Sequence, residues 1–197
     1  MQIRIIVLFI SLLLYMGCGN DYKKPENQVA EPNATIDFSD GDTTIPVGPP
    51  TAYDRALNYA ETGNPALLPL CDSLLKFDSA RAGAAPLYYR GIYHATRKEI
   101  KEAISFFDKT IVKDYRFLDA YIEKAALLAE IKKPDMALRE LELARTISPS
   151  YAPTHYWIAK INESIGQVDK ALFHYKLSLS LDSAIAEDRQ GIERLEK

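Results

Sequence analysis

The chain has few of the residues on which most protein chemistry depends. Its 197 residues include only two cysteines and three histidines, His94, His155 and His174. No two of these histidines have metal-ligand spacing on one helix, so we predict no metal site. Gly-rich phosphate loops, Gly-x-Ser-x-Gly and Cys-x-x-Cys are also missing. We therefore predict a protein that is not an enzyme and that carries no cofactor.

An excess of basic charge is also lacking. The sequence has 24 basic and 27 acidic side chains, for a formal net charge of -3. A general electrostatic grip on nucleic acid requires a basic face, so we predict no nucleic-acid partner. No stretch shows the sustained alternation of apolar and polar residues that marks a strand, and apolar residues recur instead at helical spacing. This pattern predicts an all-α fold.

Long apolar runs are limited to one, from Ile5 to Tyr15, interrupted only by Ser11. The run is too short to span a bilayer comfortably and has the length of a secretion-signal core. Gly17 and Cys18 follow it, and this ending resembles the lipobox of bacterial lipoproteins, although Tyr15 stands where leucine is usual. The resemblance implies a signal peptide at 1–17 and acylation of Cys18, palmitate included. The alternatives are an ordinary cleaved signal, or a short anchor helix with an incidental cysteine.

A proline-rich, acidic segment follows the lipobox. Residues 19–50 contain five prolines, six acidic and two basic side chains, without helical or strand period. Such a stretch buries too little apolar surface to offset ordering entropy, so we expect a disordered tether over 18–50. Several acyl chains on Cys18 would anchor it stably to a membrane. The second cysteine, Cys71, lies in an apolar helical pattern and is expected to be a small buried residue.

A step of 34 residues organises the rest of the chain. Four sets of positions repeat at this step, one occupied by large apolar or aromatic residues and three by small residues. They are Ala103, Ala137 and Ala171; Phe107, Leu141 and Tyr175; Thr110, Ala144 and Ser178; and Gly91, Ala125 and Ala159. A fixed period in this range marks a repeat array.

The repeating pattern resembles the tetratricopeptide repeat, whose second helix carries Ala-x3-Phe, as at Ala103 and Phe107. The resemblance implies an α-α superhelix of antiparallel helix pairs. Units are expected at 84–117, 118–151 and 152–185, after a degenerate pair at 51–83 and before a capping helix at 184–197. Periodicity within these bounds predicts nine helices. In the capping helix we expect Ile185, Ile192 and Leu195 to cover the third unit and Asp188, among others, to face water.

In the tetratricopeptide family, the first helices of the units line a concave groove that holds a peptide. Transferring the family's contact positions gives twelve residues of this chain. They are Tyr88, Tyr89, Ile92 and Ala95; Asp119, Ile122, Glu123 and Ala126; and Tyr156, Trp157, Lys160 and Glu163. The alternative for the aromatic members is packing between helices. A carboxylate clamp is not expected, because Tyr88, Ile92 and Glu123 occupy the positions of its lysine and asparagines.

Together these patterns predict a membrane-anchored interaction adaptor in the bacterial cell envelope, facing the periplasm from the outer membrane. Its partner would be a segment of another envelope protein. Two alternatives remain. One is an enzyme or small-ligand sensor using Asp119, Glu123, Lys160 and Glu163, and the other is a structural spacer without a specific partner.

Overall fold

A computed structural model describes residues 51–77 and 83–196. The predicted signal peptide, Cys18 and the tether lie outside the described residues. Within them the chain forms nine helices and no strand, which confirms the predicted fold class. None of these helices is long and apolar enough to cross a membrane.

The helices follow one another with short connections. Their bounds are α1 Ala52–Glu61, α2 Leu67–Phe77, α3 Ala85–Thr96, α4 Ile100–Lys113, α5 Leu118–Glu130, α6 Pro134–Ile147, α7 Ala152–Ser164, α8 Val168–Leu181 and α9 Ala186–Leu195. Three pairs pack most closely: α3 with α4, α5 with α6, and α7 with α8. Each of these pairs joins two consecutive helices of the chain.

The turn inside each unit repeats at the same step as the helices. Two residues beyond the end of the first helix lies a residue with positive φ: Lys98 (64°), Lys132 (62°) and Gly166 (74°). The following backbone N–H donates back across the turn to a carbonyl of the helix. These bonds join Glu99 to His94, Lys133 to Leu128 and Gln167 to Asn162, each with an N···O distance of 2.9 Å. This is the Schellman closure, which satisfies carbonyls at the helix end and reverses the chain.

Close approach of the two helices in a unit explains the small residues of the repeat. A Cβ atom on Gly91 would lie 2.4 Å from the ring of Phe107, so a side chain at 91 would displace that ring. Ala103, on the second helix, is fully buried, as are its equivalents Ala137 and Ala171. The repeating positions are therefore the contacts within the array's core.

The first helix pair keeps the unit's turn but not its spacing. Gly63 has a φ of 63°, and the N–H of Asn64 donates to the carbonyl of Tyr59 at 2.8 Å, as in the Schellman turns. The separation between Gly63 and Lys98 is one residue longer than the 34-residue step. Helix α1 also packs more closely on α3 than on α2. The free thiol of Cys71 is buried here, as expected.

The final helix corrects one expectation from the sequence. Asp188, predicted to face water, is fully buried, whereas Ile185 is buried as predicted. The reason is the close packing of α9 on the third unit. A Cβ atom on Gly191 would lie 2.6 Å from the Tyr175 ring. Residues three apart share a helix face, so docking through Gly191 carries Asp188 inward as well. Ile192 and Leu195 pack partly buried against the same cluster, as predicted.

Candidate binding groove

The first helices of the three units form one continuous face. Helix α3 contacts α5, and α5 contacts α7, so each unit contributes one helix to the same side of the array. Helices α4, α6 and α8 make up the other layer. We call the side formed by α3, α5 and α7 the groove.

Most of the predicted groove residues are buried by neighbouring helices. The buried members are Tyr88, Tyr89, Ile92, Ala95, Ile122, Glu123 and Trp157. The partly exposed members are Asp119, Ala126, Tyr156, Lys160 and Glu163. The Tyr88 ring, for example, lies 4.8 Å from the Phe117 ring and 5.8 Å from that of Phe107, centre to centre. Inter-helix packing thus accounts for the buried aromatics, and partner contact by the predicted set stays a prediction.

A buried acidic cluster lies in the groove between α3, α5 and the residue that precedes α7. The Tyr151 hydroxyl, just before α7, donates to Asp119 Oδ1 of α5 at 2.7 Å. Glu123, one turn further along α5, is 1% exposed, and its Oε1 has no hydrogen-bond partner among the described residues. Burial, reinforced by the charge of Asp119, raises the Glu123 pKa to about 8. Burial followed by the charges of Glu123 and Asp119 also raises the pKa of Tyr88.

At the other end of the groove, a lysine lies over aromatic rings. Lys160 Nζ is 5.7 Å from the centre of the Tyr156 ring and 5.9 Å from that of Trp157, within cation–π range. Burial lowers the pKa of Lys160. Glu163 accepts a hydrogen bond from the Tyr175 hydroxyl at 2.6 Å and pairs with Arg194 of α9 at 2.7 Å. Glu163 therefore serves to tie α9 to the third unit.

A histidine pair in the third unit was not predicted from the sequence. His155 Nε2 lies 2.7 Å from the Pro149 carbonyl oxygen, and its Nδ1 lies 3.2 Å from His174 Nδ1. A carbonyl only accepts, so Nε2 of His155 donates to it, and the two Nδ1 atoms share one hydrogen bond. Burial, then the charges of His155 and Arg145, lower the His174 pKa to about 4. The two residues are 19 apart and on different helices, a separation that no helical-spacing rule detects.

Among the described residues, no group of three or more histidine, cysteine or acidic side chains is placed to hold a metal ion. The acidic cluster at Asp119 and Glu123 holds two carboxylates and two tyrosines. Its chemistry is proton binding and hydrogen bonding.

Helix pairs, Schellman turns at a constant step and a face made of first helices together define a tetratricopeptide-repeat array. The comparisons with known proteins agree on the fold. No protein-family profile matches the chain. Anaphase-promoting complex subunit 3 of Schizosaccharomyces pombe is 29% identical over 107 residues, covering 54% of this chain but only 16% of that protein.

Solved tetratricopeptide structures superpose on the chain. A MamA fragment from Desulfovibrio magneticus RS-1 has a TM-score of 0.55 at 21% identity, covering 73% of this chain and 81% of that one. The first TPR of Spaghetti (RPAP3), solved bound to the HSP90 peptide SRMEEVD, has a TM-score of 0.54 at 18% identity, covering 58% and 90%. The Sgt2 TPR domain of Aspergillus fumigatus has a TM-score of 0.54 at 16% identity, covering 57% and 76%. This chain therefore has the tetratricopeptide-repeat fold.

Proposed function

We propose that the protein is a membrane-anchored adaptor of the bacterial cell envelope that holds a segment of a partner protein in its groove. The observation that carries this proposal is the continuous face of α3, α5 and α7, on which Asp119, Ala126, Tyr156 and Lys160 remain partly exposed. A partly exposed aromatic side chain beside charged groups is the composition that binding surfaces favour. The RPAP3 structure with its bound peptide supports the same use of the fold.

The anchor is part of the same proposal. A lipid on Cys18 would place the groove beside a membrane, and the tether would let it search the nearby volume. Tethering raises the effective concentration of the groove for a partner in the same envelope, so weak contacts suffice. We propose the periplasmic side of the outer membrane as the location.

Site-specific photo-crosslinking in native envelopes tests the groove. A benzophenone amino acid at Ala126, partly exposed on α5, is expected to form an adduct with a partner protein. The same amino acid at Ser105, exposed on α4 in the other layer, is the control and should form none. Equal adducts at both positions, or none at Ala126, would contradict the groove and favour a spacer.

Metabolic labelling tests the anchor separately. Alkynyl palmitate should label the wild type and leave Cys18→Ala unlabelled, with the variant recovered in the soluble fraction. Labelled Cys18→Ala in the membrane fraction would overturn the lipoprotein assignment without affecting the groove.

A further inference from the structure

The groove carries a buried carboxyl whose presence packing does not explain. Glu123 is 1% exposed and its Oε1 lacks a hydrogen-bond partner among the described residues. A buried polar group without a partner destabilises the folded state, because it has lost its hydrogen bonds to water. The equivalent positions in the neighbouring units are Tyr89 and Trp157, so the fold accepts large apolar side chains there. A carboxyl at this position is therefore a candidate for binding a group of another molecule.

The surroundings of Glu123 hold acceptors and another acid. Asp119 is four residues earlier on α5 and so lies on the same helix face. Its Oδ1 accepts the Tyr151 hydroxyl at 2.7 Å, and Tyr88 lies close enough for both carboxylates to raise its pKa. Asp119 and Tyr151 are partly exposed, whereas Glu123 and Tyr88 are buried. The cluster therefore opens to the groove at Asp119 and Tyr151, with Glu123 beneath them.

We propose that this cluster receives one cationic side chain, a lysine or an arginine, from a basic segment of the partner. The inference rests on the proposed function, since it names the chemistry of the segment that the groove holds. An ammonium or guanidinium at the mouth would donate to Asp119, with Tyr151 fixing the carboxylate's orientation. Such charge-assisted hydrogen bonds are about twice as strong as neutral ones.

The charge of the rest of the groove agrees with a cationic occupant. Beyond the cluster, burial and then the nearby charges of Glu187 and Asp188 of α9 raise the pKa of Tyr156. The cation Arg194 is already paired with Glu163 at 2.7 Å. Lys160, a groove cation that would repel the segment, lies in the third unit, whereas Asp119 lies in the second. An acidic segment would instead meet the like charge of Asp119, and its own acceptors would face those of the Asp119 and Glu123 carboxyl groups.

Binding should also move a proton. With its pKa near 8, Glu123 is mostly protonated at pH 7. A cation beside it favours the charged carboxylate, so Glu123 releases its proton to solvent as the segment binds. Affinity should therefore rise with pH from 6 to 8 and level off above that range.

Selection from a random dodecapeptide library displayed on phage tests the proposal, with the full-length lipidated protein in detergent micelles as bait. Peptides with a lysine or arginine at one fixed place should be enriched. Replacing that residue by norleucine or citrulline in a synthetic copy should weaken binding about tenfold or more. Enriched peptides without a basic residue would overturn the cation site and leave the proposed function standing. If no peptide is enriched, both fail.

Substitutions in the cluster test whether Asp119 and Glu123 bind the cationic side chain. Asp119→Asn and Glu123→Gln should each lose about tenfold in affinity for the selected peptide. Glu102→Gln, which removes the same charge from an exposed position on α4, should bind as the wild type does. Calorimetry in two buffers of different ionisation enthalpy should show close to one proton released at pH 7, and none for Glu123→Gln. Unchanged affinity in Asp119→Asn, or equal losses in all three variants, would overturn the proposal.

Discussion

At the scale of single residues, the turn positions show how the repeat tolerates strain. Lys98 and Lys132 have φ values of 64° and 62°, in the left-handed region that favours glycine, and Gly166 has the equivalent place in the third unit. A side chain in that region costs about 1–2 kcal/mol relative to the right-handed form. The turn nevertheless forms in all three units, because the Schellman hydrogen bonds and helix packing fix it.

Replacing Lys132 by glycine is therefore expected to stabilise the array by about 1 kcal/mol, offset in part by a larger unfolded-state entropy. Lys132 is exposed, so no packing is lost. Urea unfolding measures the change. The matched control is Lys133→Gly, where φ is −116° and no strain exists to relieve, so stability should not rise. Equal gains in both variants would contradict the strain argument.

Glu123 gives the array a pH dependence that its burial dictates. Its folded-state pKa is about 8 against an ordinary 4.5. Between these values the unfolded chain has lost the proton that the folded chain retains, so stability falls as pH rises from 4.5 to 8. Glu123→Gln should remove this contribution. The urea concentration at the unfolding midpoint should therefore fall less for the variant than for the wild type as pH rises from 4.5 to 8. Parallel midpoints for the two proteins would show that Glu123 titrates normally.

At the scale of elements, α9 combines firm attachment with one unfavourable group. Arg194 pairs with Glu163 at 2.7 Å, and Lys176 of α8 pairs with Glu196 at 2.7 Å. Asp188 is buried under the helix, with both of its carboxylate oxygens out of contact with solvent. Burial raises its pKa to about 6, with nearby Ser178 opposing the shift. Docking of α9 is therefore weakened as pH rises from 3.8 to 6 and stays weakened above.

Asp188→Asn should strengthen the docking of α9 at pH 7.5, because it removes a buried charge while keeping the shape. Hydrogen exchange of the α9 amides is expected to slow several-fold, a change of about 1 kcal/mol in local opening. Glu193→Gln, which removes the same charge from an exposed position of the same helix, should leave exchange unchanged. Faster exchange in Asp188→Asn would indicate that the carboxylate stabilises the helix.

At the scale of the whole molecule, sequence periodicity predicts the repeated helix pairs but not which side chains are buried between units. The 34-residue step places Ala103, Phe107 and their equivalents correctly because these positions are set by contacts within one unit. Burial of Tyr88, Trp157 and Asp188 depends instead on how one unit turns against the next, which a period does not encode. The His155–His174 bond lies within one unit, but it joins positions on two helices that the period does not relate.

The array should also unfold as a connected series, which a change in its middle unit can show. Ala137 is fully buried on α6, so Ala137→Leu should overpack the second unit by about 1–3 kcal/mol. Because each unit is stabilised by stacking on its neighbours, the loss should reach the third unit, where Trp157 is the only tryptophan of the chain. Thermal midpoints from helical circular dichroism and from Trp157 fluorescence should fall together, while Met136→Leu at the exposed neighbouring position changes neither. A fluorescence midpoint that stays in place while the dichroism midpoint falls would mean that the units unfold independently, and an unchanged melting curve would mean that Ala137 is not at the crossing of its helices.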